Sequence, residues 1–541
     1  MTQTDIKQPN ILFILADDMG AWALGSAGNT EVQTPHLDRL AAQGVRYENF
    51  YCASPVCSAA RASILTGLMP SGHGVYDWIA GGSLNRHELP APLCQDPRFA
   101  LEEERIQYLE GFDSYTDLLH RAGYQVHLSG KWHLGDSLSA QKSFDHWFTI
   151  GRGGCLYTQP DIVENGELKI VDRYLTDLIT EDALKVLESA QKSAAPFYLS
   201  VHYTAPHTPW DQSEHPQDIW DLYSSCPFTS APAEPVHPWQ IPSCDQPFEP
   251  GPHLRQLAAS GDAKALASVA RYEDERKRLL RGYYTAITAM DCGIGRLLDQ
   301  LEALNLSDHT MVVFLGDNGM NLGHHGIWGK GNGTFPLNLY ETSVKVPCIL
   351  KLPEIMTNHL EVKGRSIRDI HSQLDFFQTF AQIAQAASQD GCDTLRPGKS
   401  LLASLPQELA HAGEAVDLRG EAIVVDEYGP NRMIRRGRYK LVRRYPYGPD
   451  ELFDLLEDPD ETANLLDQPE YQKLRGELEQ ALHLWCDRYM DPEMDGTREG
   501  VTGCGQLRRG GKYGAGKRYV KQDAMWSKGC DNLHNPFNPK G

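Results

Sequence analysis

Residues 10–16, Asn-Ile-Leu-Phe-Ile-Leu-Ala, carry no charge and no polar side chain after the first position. A run this short and this apolar has no face to offer water. It predicts a strand covered on both sides, as in a parallel sheet lying between helices. It stops abruptly at Asp17-Asp18-Met19-Gly20. Open α/β sheets bind ligands beyond the carboxyl ends of such strands. Adjacent carboxylates repel, and a hard cation relieves that repulsion; a capping aspartate before a turn is the simpler alternative.

The same rhythm recurs along the chain. Residues 34–44 read as a helix opened by proline and closed by glycine, and 45–51 as a strand. Residues 112–122, 177–191 and 263–304 read as helices, and 123–129, 197–203 and 310–315 as strands. Strand alternating with helix is the doubly wound α/β pattern. At 541 residues the chain exceeds one simple core, so two domains are expected. The first spans 1–410, with a proline-rich, aperiodic insertion at 211–261 that either shapes a pocket or acts as a spacer. Residues 81–110 read as an irregular excursion. The second domain spans 411–541, with strands at 423–427, 432–435 and 439–443 and a helix at 470–489. Its tail from residue 500 is rich in Gly, Lys and Arg. The tail is expected either to be partly disordered or to fold back and bring basic residues to the rim of the site.

Charge narrows the partners. A net charge of −21 disfavours nucleic acid, which needs clustered Lys and Arg, but leaves room for a local basic pocket that takes a small anion. No run of about 18 or more apolar residues occurs, so no membrane span is expected. The first nine residues carry neither a basic n-region nor an apolar h-region, so no signal peptide and a cytoplasmic location are expected. The 12 cysteines contain no C-x-x-C pair, which excludes a zinc ribbon or a thioredoxin motif and leaves mostly buried, reduced thiols.

One cysteine stands apart. Cys57 opens the stretch Cys57-Ser58-Ala59-Ala60-Arg61-Ala62-Ser63-Ile64-Leu65-Thr66-Gly67. Pro55 fixes the approach to a short helix over 58–65, and Gly67 ends it. A side chain at a helix start sees free N–H groups and the positive end of the dipole, which suits a nucleophile or an oxyanion. Arg61, one turn on, adds a cation facing the same spot. Strand 123–129 runs into Gly130-Lys131-Trp132-His133-Leu134-Gly135, where Lys131 and His133 are two apart and point the same way if extended. Strand 197–203 runs into Ala205-Pro206-His207-Thr208-Pro209-Trp210. Prolines stiffen the backbone on both sides of His207, a frame suited to a fixed general acid; His202, inside the strand, reads as structural. Strand 310–315 ends in Gly316-Asp317-Asn318-Gly319, which offers oxygens to the same hard cation or simply makes a turn. After the cysteine helix, Asp77 and Trp78 are either sugar contacts or part of a packed aromatic loop.

These segments, together with His324-His325-Gly326-Ile327-Trp328-Gly329-Lys330 and Tyr340-Glu341-Thr342-Ser343-Val344-Lys345-Val346-Pro347, resemble the type I sulfatases in family order over roughly residues 8–465. The resemblance implies an alkaline-phosphatase-like α/β fold. That fold is a large mixed, mostly parallel sheet sandwiched by helices, with a smaller C-terminal α+β domain built on an antiparallel sheet. It implies that Cys57 is oxidised to Cα-formylglycine, whose aldehyde hydrate is the nucleophile. It also implies a divalent metal, Ca²⁺ or else Mg²⁺, held by Asp17, Asp18, Asp317, Asn318 and the modified Cys57. Arg61, Lys131 and Lys330 would then hold sulfate, His133 would assist the second hydroxyl of the hydrate, and His207 would protonate the leaving alcohol. The family commonly has Glu-His-Gly where this chain has His324-His325-Gly326. His324 and His325, with Asp77, Trp78 and Trp210, are the expected substrate contacts. Ala59 stands where the family pattern C-x-P-x-R has proline. That departure points to an anaerobic radical maturation enzyme as a partner, and to a bacterial, anaerobic host. The implied reaction is sulfate-ester hydrolysis on sulfated carbohydrates of glycosaminoglycan type. The alternatives are a phosphonate or phosphate ester hydrolase of the same superfamily and a non-catalytic binder of sulfated glycan.

Overall fold

The computed structural model describes residues 8–514 except 243–245, 248–249, 251, 358–360, 412–417, 419, 495, 498–502 and 504. Its strands in chain order are β1 (Asn10–Ala16), β2 (Val45–Tyr51), β3 (Gln125–Gly130), β4 (His146–Ile150), β5 (Asp161–Glu164), β6 (Glu167–Ile170), β7 (Phe197–His202) and β8 (Thr310–Gly316). There follow a two-residue pair, β9 (Asn321–Leu322) and β10 (Trp328–Gly329), then β11 (Cys348–Lys351) and β12 (Arg365–Ser372). A ten-stranded sheet runs β12-β2-β11-β8-β1-β7-β3-β4-β5-β6. Its centre is parallel: β1 pairs with both β7 and β8, and β3 with both β7 and β4. β11 is antiparallel to both its neighbours, and β5 and β6 turn back at the far edge.

Alternation along β1 sends its side chains to two separate cores. Ile11, Phe13 and Leu15 enter one, with Tyr115, Leu118, Phe376 and Phe380 from the helices Tyr115–Arg121 and Asp375–Ala384. Leu12, Ile14 and Ala16 enter the other, with residues of the helices Leu175–Ala190 and Ala263–Ala303. Both faces are therefore dry, which is why the sequence of β1 is unbroken by charge.

The central strands and the main helices lie where the sequence predicts them. β4, β5, β6, β11 and β12 were not foreseen. β6 is largely exposed, β12 carries Arg365, Arg368 and Asp369, and β11 is only four residues long. Sheet edges meet water on one side or are too short to repeat a pattern, so neither carries the apolar signature. A second, antiparallel sheet follows: β13 (Glu421–Asp426), β14 (Asn431–Arg436), β15 (Tyr439–Arg444) and β16 (Glu451–Asp454), in that order. The helix Gln472–Tyr489 covers it through Leu478, Leu482 and Cys486.

Within the described residues the tail folds back. The N–H of Gln506 donates to Trp78 O (2.7 Å) and Ala80 N–H donates to Gln506 O (2.8 Å). Arg509 pairs with Glu110 (3.1 Å) rather than with the strand-end acids. The basic stretch beyond residue 514 lies outside the described residues. Among the described residues no helix is long and apolar enough to cross a membrane.

Phe13 is fully buried, edge-on to Phe376 with centroids 5.3 Å apart. Phe13→Ala should lower stability by about 3–5 kcal/mol, read as a drop in the urea midpoint.

Candidate active site

The register of the parallel strands builds the site. Ala16 pairs with Gly316, so the next residues, Asp17 and Asp317, leave the sheet side by side. Gly130 pairs with His202, so Lys131 leaves beside them, and its N–H donates to His202 O (2.8 Å). Asp17 N–H donates to Ala205 O (3.1 Å), which ties in the segment that leads to His207. Asp17–Asp18, Asp317–Asn318, Lys131–His133 and His207 thus meet at one sheet edge.

Cys57 approaches from the helix Cys57–Thr66, every residue of which is buried. The helix begins at Cys57 itself, one residue earlier than the sequence suggests. It stops at Gly67, where φ is 68° and a Cβ would lie 2.7 Å from Phe377 Cβ. Only glycine fits there.

Each charge has a buried partner. Arg61 Nε donates to Asp317 Oδ2 (3.0 Å), its Nη1 donates to Lys131 O (3.0 Å), and its Nη2 lies 3.8 Å from Asp17 Oδ1. Lys131 Nζ donates to Asp17 Oδ2. Lys330 Nζ donates to Asp18 Oδ1 (2.6 Å) and lies 2.7 Å from Cys57 Sγ. Burial alone would raise Asp17, but Lys131, His207, Arg61 and Lys330 hold it well below the usual carboxylate range. Asp18 is lowered in the same way, against burial, by Lys330 and His207. Asp317 goes the other way: burial and the charge of Asp17 push it up to about 7, despite Arg61. Burial, then Asp17 and Asp18, push the Cys57 thiol well above its ordinary value, so the unmodified side chain is a neutral thiol.

The oxygens fit a hard cation. Asp17, Asp18 and Asp317 each offer an oxygen, all within 4.8 Å of one another. Asp17 Oδ1 and Asn318 Oδ1 are buried acceptors with no hydrogen-bond partner among the described residues. An all-oxygen donor set of this kind suits Ca²⁺ or Mg²⁺.

Two histidines present defined nitrogens. His133 Nε2 lies 3.0 Å from Ile79 O, a group that can only accept, so Nε2 carries the hydrogen. Burial and Lys131 hold the imidazole well below its usual range, which makes it neutral and leaves Nδ1 a buried acceptor without a partner among the described residues. His207 Nδ1 lies 2.7 Å from Thr208 O and donates to it, so Nε2, 3.6 Å from Asp18 Oδ2, is the nitrogen free to exchange a proton. His202, read as structural, bridges Lys131 O and Ser200 Oγ at 3.0 Å each.

The expected substrate contacts divide. Trp210 lines a cleft with Asp18, Lys330, Met320, Trp328 and Ile241. Asp77 does not face that cleft. It is buried, with its oxygens taken by Trp78 N–H and Gly505 N–H (2.8 Å each), and burial with Glu427 pushes it up to about 8. Trp78 donates to Gly503 O (3.2 Å), so this loop is the packed alternative, clasped by the returning tail. His324 packs on Trp22 with centroids 4.5 Å apart, and His325 stacks on Tyr340 at 3.9 Å and 9°. Both rings thus pack on aromatic neighbours.

Further contacts to backbone hold the site in place. Asp18 sits at φ 60°, a strained conformation for a non-glycine residue. Tyr283 OH donates to Asp18 O (2.9 Å) and accepts from Gly20 N–H (3.2 Å). Gln373 Nε2 donates to Gly316 O (2.8 Å) and Asp317 O (2.7 Å). The insertion shapes the cleft: Ile241 N–H donates to Gly333 O (2.9 Å), and the Gln240 amide accepts from Trp328 N–H (2.8 Å) and donates to Trp328 O (3.1 Å). These side chains grip backbone, and backbone partners leave no trace in a motif.

A family model described as Sulfatase matches residues 9–386, and one described as N-sulphoglucosamine sulphohydrolase, C-terminal, matches residues 323–486. The chain is 26% identical to the N-acetylglucosamine-6-O-sulfatase of Bacteroides thetaiotaomicron, over 91% of this chain and 88% of that protein. It is 29% identical to the ulvan-active sulfatase of Formosa agariphila, over 89% of this chain and 81% of that one. A solved structure in complex with its substrate D-glucosamine-2-N,6-O-disulfate superimposes with a TM-score of 0.67 at 24% identity, covering 90% of this chain and 99% of the other.

Adding Ca²⁺ or Mg²⁺ to chelator-treated protein should raise its melting temperature. Metal at a hundred times its dissociation constant stabilises by about 2.7 kcal/mol. Asp317→Ala should abolish that response in a thermal-shift titration.

Proposed function

The chain belongs to the sulfatase family and is a sulfuric ester hydrolase; from that premise we propose that it removes sulfate from carbohydrates, with Cys57 converted to formylglycine. Lys330 carries the reading, because its Nζ lies within hydrogen-bond distance of both Cys57 Sγ and Asp18. It belongs to a buried set in which Arg61, Lys131 and Lys330 oppose Asp17, Asp18 and Asp317. The formal charges of that set cancel. A divalent cation held by Asp17, Asp18, Asp317 and Asn318 would leave the site positive, which suits an anionic sulfate ester.

The neutral thiol of Cys57 is a poor nucleophile, so conversion of that side chain is what equips the site for attack on sulfur. The hydrated aldehyde of formylglycine supplies that nucleophile when present. Arg61, Lys131 and Lys330 orient the sulfate and stabilise the charge that grows on its oxygens. His207 gives up a proton from Nε2 to the departing alcohol, with its Nδ1 hydrogen held by Thr208 O. His133, whose Nδ1 is an acceptor without a partner among the described residues, would take the proton given up by the second hydroxyl of the hydrate as sulfate leaves and the aldehyde is restored. Trp210 and Trp328, both buried, form part of the wall of the cleft that a sugar ring would enter. The names of the two relatives, an N-acetylglucosamine-6-O-sulfatase and an ulvan-active sulfatase, support the carbohydrate reading. Ala59 supports maturation by a radical enzyme.

Protein co-expressed with an anaerobic radical maturation enzyme should show, in the peptide spanning Cys57, the mass change from thiol to aldehyde. That protein should desulfate members of a sulfated-oligosaccharide panel and prefer aryl sulfate to the matched aryl phosphonate. Cys57→Ala should fall to background. An intact thiol in active protein would refute the formylglycine reading, and turnover of phosphonate alone would refute the sulfatase reading.

A further inference from the structure

Between β4 and β5 the chain passes Gly151-Arg152-Gly153-Gly154-Cys155, a stretch in which the sequence shows no motif. A Cβ built on Gly153 would lie 2.0 Å from His133 Nε2, 2.4 Å from Cε1 and 2.5 Å from Cδ2. The imidazole therefore occupies the place where any other residue would put its side chain. Gly153 does not have the left-handed φ that would demand glycine for its own sake. Gly154 is different: its Cβ would meet only His207 Cε1, at an ordinary 3.7 Å.

Both partners are anchored by hydrogen bonds. Arg152 bolts the loop down, donating to both oxygens of buried Asp161 (3.0 and 3.1 Å) and to Arg98 O (2.9 Å). At the far end Tyr157 OH donates to His207 O (2.7 Å). The His133 ring is held by its Nε2 bond to Ile79 O (3.0 Å), and the Ile79 N–H is fixed in turn by Ser58 Oγ (3.0 Å) on the cysteine helix.

We propose that Gly153 is a positioning residue for His133: the side chain it lacks is the seat of the imidazole, and the anchored loop holds that ring against Ile79 O so that Nδ1 faces the reacting centre. The kinetic part of this inference rests on the sulfatase reading.

The test compares neighbouring glycines in full-length protein matured by the radical enzyme. With aryl sulfate, Gly153→Ala should lower kcat about a hundredfold with little change in KM, as expected when a catalytic group is displaced by about 1 Å. Gly154→Ala should retain wild-type kcat. On a His133→Ala background, Gly153→Ala should cost nothing further, because the ring it strikes is gone. A crystal structure of unmodified Gly153→Ala should show the imidazole displaced from Ile79 O, a readout independent of activity. Wild-type kcat in Gly153→Ala, an equal loss in both backgrounds, or an imidazole still on Ile79 O would overturn the proposal. If Gly153→Ala alone fails to fold, recovery of folding in the double variant supports it and failure of the double variant overturns it. A wild-type enzyme without sulfatase activity would sink the sulfatase reading and leave the crystallographic arm to decide this one.

Discussion

Everything at the catalytic edge depends on the parallel pairing of β1 with β8. Their register sets Ala16 beside Gly316 and so forces Asp17, Asp18 and Asp317 out of the sheet together. Three buried carboxylates in one place cannot stand alone, because an unpaired buried charge costs far more than its burial returns. Arg61, Lys131 and Lys330 come from three different segments to meet them. The repulsion that the fold creates is thus the reason the site is rich in fixed cations. Fixed cations in a dry pocket are what the chemistry of an anionic ester needs, since they require no reorganisation during reaction.

Around this charge set lies a layer of neutral side chains whose task is to hold backbone. Tyr283 reaches from the long helix to the strained Asp18, and Gln373 spans the carbonyls of Gly316 and Asp317. Gln240 acts as a strand partner for Trp328, two residues before Lys330. The tail contributes too, because Gln506 pairs with the segment on either side of Ile79, and the Ile79 peptide joins Ser58 of the cysteine helix to His133. The C-terminal region therefore bears on His133 through one peptide unit.

Much of this was legible in the chain. A strand buried on both faces has to be apolar throughout, so β1, β3, β7 and β8 announce themselves, and the residues that follow them sit at one sheet edge whatever the rest of the fold does. Cys57, Arg61, Lys131, His133, His207, Asp317, Asn318 and Lys330 stand just beyond strand ends or near the start of a helix, so local order along the chain is enough to single them out as candidates. The edge strands were not legible, since water on one side removes the apolar pattern. Asp77 is held by two backbone N–H groups and His324 and His325 pack on aromatic rings; closeness in sequence to a reactive residue says nothing of which way a side chain faces.

The periodicity of the central sheet, the placing of the charged clusters at its strand ends and the family to which they belong can be read from the chain, because they follow from burial and from local order. Tertiary structure alone decided which nitrogen of each histidine is free, which loop the tail clasps and why residue 153 has no side chain. Those outcomes depend on hydrogen bonds and on steric contact between segments far apart in the chain. No local pattern encodes the distance between Gly153 and the ring of His133.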